Sequence, residues 1–177
     1  MHIDLIRTRE KEFPTDLEFE NITVLRIWHC KYKSLEAISK CTNLEVLIIA
    51  TFPDQSFEFL SSLKRLKELS ILHMPKLSDL DGIEALDKLE KLSLRTLPSW
   101  DSSGKKTIID SLSPLTKLKK LSNLELLGVI TPSKDLSSLL KCKELKTVRV
   151  GGYGKKQEKE FYATCGLADD FIRFTEV

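Results

Sequence analysis

Apolar residues recur along the chain in one short phrase. The pattern LxxLxL appears as ITVLRI (Ile22 to Ile27), LEVLII (Leu44 to Ile49), LKELSI (Leu66 to Ile71), LEKLSL (Leu89 to Leu94), LSNLEL (Leu121 to Leu126) and LKTVRV (Leu145 to Val150). The end of each copy alternates apolar and variable positions, as a strand with one buried face requires. The central positions Leu25, Leu47, Leu69, Leu92, Leu124 and Val148 are 22, 22, 23, 32 and 24 residues apart. Ahead of the strands the period changes to three: Leu77, Leu80, Ile83, Leu86 and Leu89 in one unit, Ile109, Leu112, Leu115, Leu118 and Leu121 in another. A period of three fits a 3₁₀ return better than a long amphipathic helix. Each unit is therefore predicted as a strand, a turn and a short helical return.

One such unit cannot cover its own apolar face, so neighbours must stack and share a continuous core. The prediction is an α/β solenoid with a parallel sheet, forming one domain over residues 1–177. Residues 1–16 form an amino-terminal cap, with HIDLIRT (His2 to Thr8) as its strand; residues 17–150 carry six repeats. The long spacing places an insertion near residues 99–107, in SWDSSGKKT, on the rim of the sheet. Residues 151–177 are expected to hold a helix ending at Gly166 and a degenerate seventh repeat, since FIRF (Phe171 to Phe174) puts Ile172 24 positions after Val148.

The stretch LSDLDGIEALDKLEKLSL (Leu77 to Leu94) resembles the leucine-rich repeat family, in the 22-residue class similar to bacterial internalin-type and cytosolic phosphatase-regulating repeats. The resemblance implies a curved parallel sheet on the concave side, short helical or 3₁₀ returns on the convex side, and a non-catalytic protein-protein interaction module. By the same analogy the alternative is a bacterial immunity or inhibitor protein that occludes a toxin. The family places asparagine three residues after the last strand leucine, to bond the backbone of adjacent coils. Here those positions hold Cys30, Phe52, Met74, Leu97, Val129 and Tyr153, so an apolar column is expected instead, with the turn amides finding other partners.

If the leucines point inward, the residues between them face out. Val24, Val46, Ile48, Ala50 and Leu72 then form an apolar patch beside Trp28, and such patches mark interaction sites. Arg26 and Arg95, with Trp28, are of the types enriched at binding hot spots. The candidate partner-binding residues are Arg26, Trp28, Ile48, Ala50, Leu72, His73 and Arg95, with Trp100 from the insertion.

Composition narrows the function classes. Apolar residues make up 41% and charged residues 31% of 177, a globular composition. The longest apolar runs, such as VLIIA, fall far short of the roughly 20 residues that span a bilayer. The start MHIDLIRTREKEF lacks the features of a secretory signal, and the expected location is cytoplasmic. Four cysteines without a CxxC or a Cys/His cluster suggest buried, reduced thiols rather than zinc or a redox pair. His29 and His73 share a column two units apart, roughly 10 Å at the backbone, too far for two imidazoles on one zinc without a third ligand. No nucleophile elbow, phosphate-cradling glycine loop or HExxH is present, and GGYG (Gly151 to Gly154) reads as a turn. Neither cofactor nor enzyme activity is expected; an unrecognised catalytic site is the alternative from another class. Net charge is +2, and residues 101–177 lean basic, 14 Lys/Arg against 10 Asp/Glu. The lysine groups of that half could line one edge, yet no aromatic residues are interleaved as stacking platforms. The expected partner is a protein rather than a nucleic acid.

Overall fold

The structure is a computed structural model and describes residues 1–173. Its strands are β1 (His2–Ile6), β2 (Val24–Trp28), β3 (Val46–Ala50), β4 (Glu68–Leu72), β5 (Lys91–Arg95), β6 (Thr107–Ile108), β7 (Asn123–Leu127), β8 (Val129–Ile130) and β9 (Thr147–Gly151). Two α-helices accompany the strands among the described residues, α1 (Pro98–Ser102) and α2 (Lys155–Cys165). Seven strands form one parallel sheet in the order β1-β2-β3-β4-β5-β7-β9, one strand per coil, while β6 and β8 pair alongside.

The register is what the leucine phrase dictates. Leu25 lies opposite Leu47, Leu47 opposite Leu69, Leu69 opposite Leu92, Leu92 opposite Leu124 and Leu124 opposite Val148. These side chains are fully buried, so a slip of one residue would turn every one of them to solvent. Ile3 stands opposite Leu25 and Leu5 opposite Ile27, which makes β1 a coil strand in full register. The returns are 3₁₀ helices, such as Glu36–Lys40, Glu58–Ser62 and Ser137–Lys141. Each buries one apolar residue, Ile38, Leu60 and Leu139 respectively, as a three-residue repeat with one inward face must.

The strand ends turn through left-handed backbone. Arg7, His29, Thr51 and His73, one per coil, have φ of 51°, 53°, 73° and 64°, and Gly128 and Gly152 do the same farther on. The amide of each of these residues up to Gly128 continues the ladder: His29 N–H donates to Ala50 O (3.1 Å), Thr51 N–H to Leu72 O (2.7 Å) and His73 N–H to Arg95 O (2.7 Å). Beyond the turn Phe52 N–H reaches His73 O and Ser78 N–H reaches Gln55 O. These turn amides are therefore bonded to carbonyls of the neighbouring coil without help from an asparagine side chain. That frees the interior column for apolar side chains, and Cys30, Phe52, Met74, Val129 and Tyr153 are all buried in it.

In the long coil this column is filled by Thr107, not Leu97. Thr107 is 3% exposed, its N–H donates to Gly128 O and its Oγ1 to Met74 O. The excursion thus runs over residues 97–106, contains α1, and returns to the coil one residue earlier than the spacing suggested.

At the carboxyl end, α2 stops at Gly166, whose φ of 70° and bond to Tyr162 O close the helix. The chain then comes back beside β9, but the residue opposite Val148 is Asp169, through a single bridge. Ile172, expected at that register, is 51% exposed, and Phe171 is the residue that tucks in. The helix takes up more chain than a 3₁₀ return, which moves the contact away from the 24-residue spacing. Phe174, the last residue of the FIRF pattern, lies outside the described residues. No helix among the described residues is long and apolar enough to cross a membrane.

Candidate binding face

The open face of the sheet carries the alternate residues of each strand, aligned coil to coil by the register. Val24 and Val46 are opposite one another, Arg26 is opposite Ile48, and Trp28, Ala50, Leu72 and Arg95 form one continuous row. Val24, Val46, Ile48, Trp28 and Leu72 are all half-buried. Together they make a partly wetted apolar strip across three coils. Ala50, expected on this surface, is 0% exposed: its single methyl sits in register between the larger Trp28 and Leu72, which shade it.

Charged residues flank the strip and are paired with neighbouring coils. Arg26 grips Asp4 with two nitrogens, Nε at 2.8 Å and Nη2 at 3.2 Å, the forked arrangement that favours arginine over lysine. Lys91 and Glu68 meet at 2.9 Å and are only 19% and 13% exposed. Arg26 therefore borders the patch with its head group engaged by Asp4. Arg95 lies three strands from Trp28, roughly 14 Å away at the strand spacing, and belongs to a different cluster.

The rim beyond the strands holds the aromatic candidates. Trp28 meets His29 edge-on, ring centres 5.4 Å apart, and His29 Nδ1 is hydrogen-bonded to Thr51 Oγ1 at 3.1 Å. The excursion folds back so that Trp100 meets His73 edge-on at 5.0 Å, with Lys105 Nζ over the indole at 5.1 Å. Burial, and secondarily the charge of His29, holds the His73 imidazole below its ordinary pKa, so its neutral form is favoured. Among the described residues no three His, Cys, Asp or Glu side chains gather as a metal site would require.

The sequence reading did not single out the second cluster of the face. Glu125, on β7, is 6% exposed and accepts a hydrogen bond from Ser93 Oγ at 2.6 Å. Arg95 Nε stands 3.4 Å and Arg149 Nη1 3.6 Å from its two oxygens. The signal was the column Ser93, Glu125, Arg149, where a lone carboxylate has an arginine next to it in register; in the sequence these residues are separated by whole coils.

No protein-family model matches the sequence, and no curated protein matches it. Among solved structures the chain is similar to internalin C2 of Listeria monocytogenes, with 19% identity and a TM-score of 0.49 over 73% of this chain and 53% of that one. It is similar also to an internalin, InlF, of the same organism, with 16% identity and a TM-score of 0.49 over 83% and 53% of the two chains. The chain spans about half the length of either. Its own geometry, one short parallel strand and one 3₁₀ return per coil of about 22 residues around a spine of leucines, is that of a leucine-rich-repeat solenoid.

Proposed function

We propose that this is a non-catalytic protein-binding module that docks a protein partner on the open, concave face of its sheet. The observation that carries this reading is the apolar strip of Val24, Val46, Ile48, Trp28 and Leu72, half-buried and bordered by ion pairs. An apolar centre with a polar rim is the anatomy of a protein interface. A surface built on hydrogen-bonded strands is already in its bound shape, so little entropy is lost on docking. Within the strip, Trp28, Ile48 and Leu72 supply the contact area, and His73 and Trp100 extend it along the rim. Ala50 contributes spacing rather than contact, and Arg26 acts at the border through its pair with Asp4.

The test is capture of protein partners by the immobilised chain, wild type against Trp28→Glu, with circular dichroism confirming that both are folded. The proposal predicts that the wild type retains a partner and that the variant loses it by tenfold or more, the scale of a hot-spot residue. Undiminished capture by the folded variant would remove this face as the docking site.

A further inference from the structure

At the carboxyl-terminal end of the same face lies a recess of about 380 Å³, lined by Ser93, Arg95, Glu125, Arg149, Phe171 and Arg173. Its charges are unbalanced. Three guanidinium groups line it against one carboxylate, a formal excess of two positive charges. Asp169 and Asp170 approach Arg149 at 3.8 and 3.6 Å, but both are 62% exposed, where water screens such pairs heavily.

The donors of the recess are also under-used. Charge-assisted N–H···O contacts settle at about 2.7–2.9 Å, whereas Arg95 and Arg149 stand 3.4 and 3.6 Å from Glu125. Arg95 Nε is buried and makes no hydrogen bond. Glu125 instead accepts its one short hydrogen bond from Ser93 Oγ, at 2.6 Å. It holds the two arginines on either side by charge without saturating their forks. The Arg95 side chain is 40% exposed while its Nε is shut from solvent, so an acceptor entering from the open side completes a hydrogen bond at an N–H that water does not reach.

We propose that this recess receives the carboxylate of an aspartate or glutamate side chain of the protein partner. The proposal rests on the reading of the open face as a protein-docking surface, because Arg95 is the register neighbour of Leu72 and the recess therefore continues the apolar strip. A partner lying along the row from Trp28 to Arg95 reaches it without leaving the face. A cationic side chain would meet three guanidinium groups. The carboxylate of Glu125 at the floor penalises a phosphate dianion more than a carboxylate monoanion. Arg95 and Arg149 are the binding residues; Ser93 and Glu125 position them.

The experiment is a titration of the full chain with N-acetyl-glutamate N-methylamide, following the arginine Nε–Hε signals by NMR. N-acetyl-glutamine N-methylamide at matched ionic strength is the control. The proposal predicts saturable shifts of the Arg95 and Arg149 signals with the glutamate probe and none with the glutamine probe. Arg95→Gln should abolish the binding. Absent or non-saturable shifts in the wild type, or equal shifts with the glutamine probe, overturn the proposal without recourse to any variant. Tighter binding of inorganic phosphate than of the glutamate probe at the same two arginines overturns the choice of a carboxylate. Loss of the arginine response alongside a Trp28→Glu variant that no longer captures partners would dismiss the recess and keep the docking face. The opposite pair of results would dismiss the face and keep the recess as an anion site.

Discussion

Gly82→Ala should cost far more than a surface glycine substitution elsewhere, because at Gly82 two coils touch backbone to backbone. The residue precedes the 3₁₀ return of the fourth strand's coil with φ of 94°, and a Cβ there would lie 2.4 Å from Phe57 O and 2.5 Å from Glu58 Cα. Ordinary contact begins at 3.4 Å, and no side-chain rotation can move a carbonyl, so the coils would have to part by about 1 Å. That parting strains the bond from Phe57 N–H to Asp81 O, 2.9 Å long, which ties the same two coils. Left-handed backbone costs an alanine roughly 1–2 kcal/mol and overpacking roughly 1–3 kcal/mol, together about 2–5 kcal/mol. Against a typical total of about 5–15 kcal/mol this is a large loss. Gly104 is the control: its φ is 78°, but nothing lies within 4 Å of the added Cβ, so Gly104→Ala carries the backbone term alone. Urea unfolding followed by circular dichroism gives both free energies. Equal losses for the two variants would refute the close coil contact.

Leu69 is fully buried between Leu47 and Leu92, and Leu69→Ala should lower the unfolding free energy by about 3–5 kcal/mol; a loss below about 1 kcal/mol in urea melts would be inconsistent with a shared spine. Cys41 and Cys142 are buried, and burial pushes both thiols up to about 11. With Cys30 also buried and Cys165 half-buried, a chromogenic disulfide reagent at pH 8 should label one thiol quickly in the native state and four after denaturation, and several fast native thiols would contradict this packing. His73 is held below its ordinary pKa of 6.5 by burial. The unfolded chain therefore takes up a proton first, and the stability from neutral His73 is complete above about pH 6.5 and declines as pH falls below it. His73→Gln should accordingly flatten the stability profile between pH 7 and pH 5, and superimposable profiles would show that His73 is not the group responsible.

The sequence carried those parts of the fold that repeat. Leu25, Leu47, Leu69 and Leu92 were legible because a coil of fixed length puts the same apolar side chain in the same place each time, and the three-residue period before Leu92 and Leu124 named the 3₁₀ returns. What does not repeat was harder to see. Spacing alone puts Thr107 at the end of the insertion and not in the column of Met, Val and Phe. It belongs in the column because its hydroxyl bonds Met74 O, a contact between residues 33 apart. Asp169 beside Val148 was missed because α2 changes the length of chain used per coil. The open face was legible as a set of columns but not as a surface. Which residue shades another, as at Ala50, and which arginine reaches Glu125 depend on side-chain size and reach across coils, and spacing encodes neither.

The claim on which both the fold and the docking face depend is that neighbouring coils stack in register. Methyl-labelled leucine, isoleucine and valine side chains and a nuclear Overhauser spectrum test it directly. The account predicts cross-peaks from Leu25 to Leu47, Leu47 to Leu69, Leu69 to Leu92, Leu92 to Leu124 and Leu124 to Val148, each coil seeing only its two neighbours. Strong cross-peaks that skip a coil, such as Leu25 to Leu92, or the absence of the neighbour series, would contradict it.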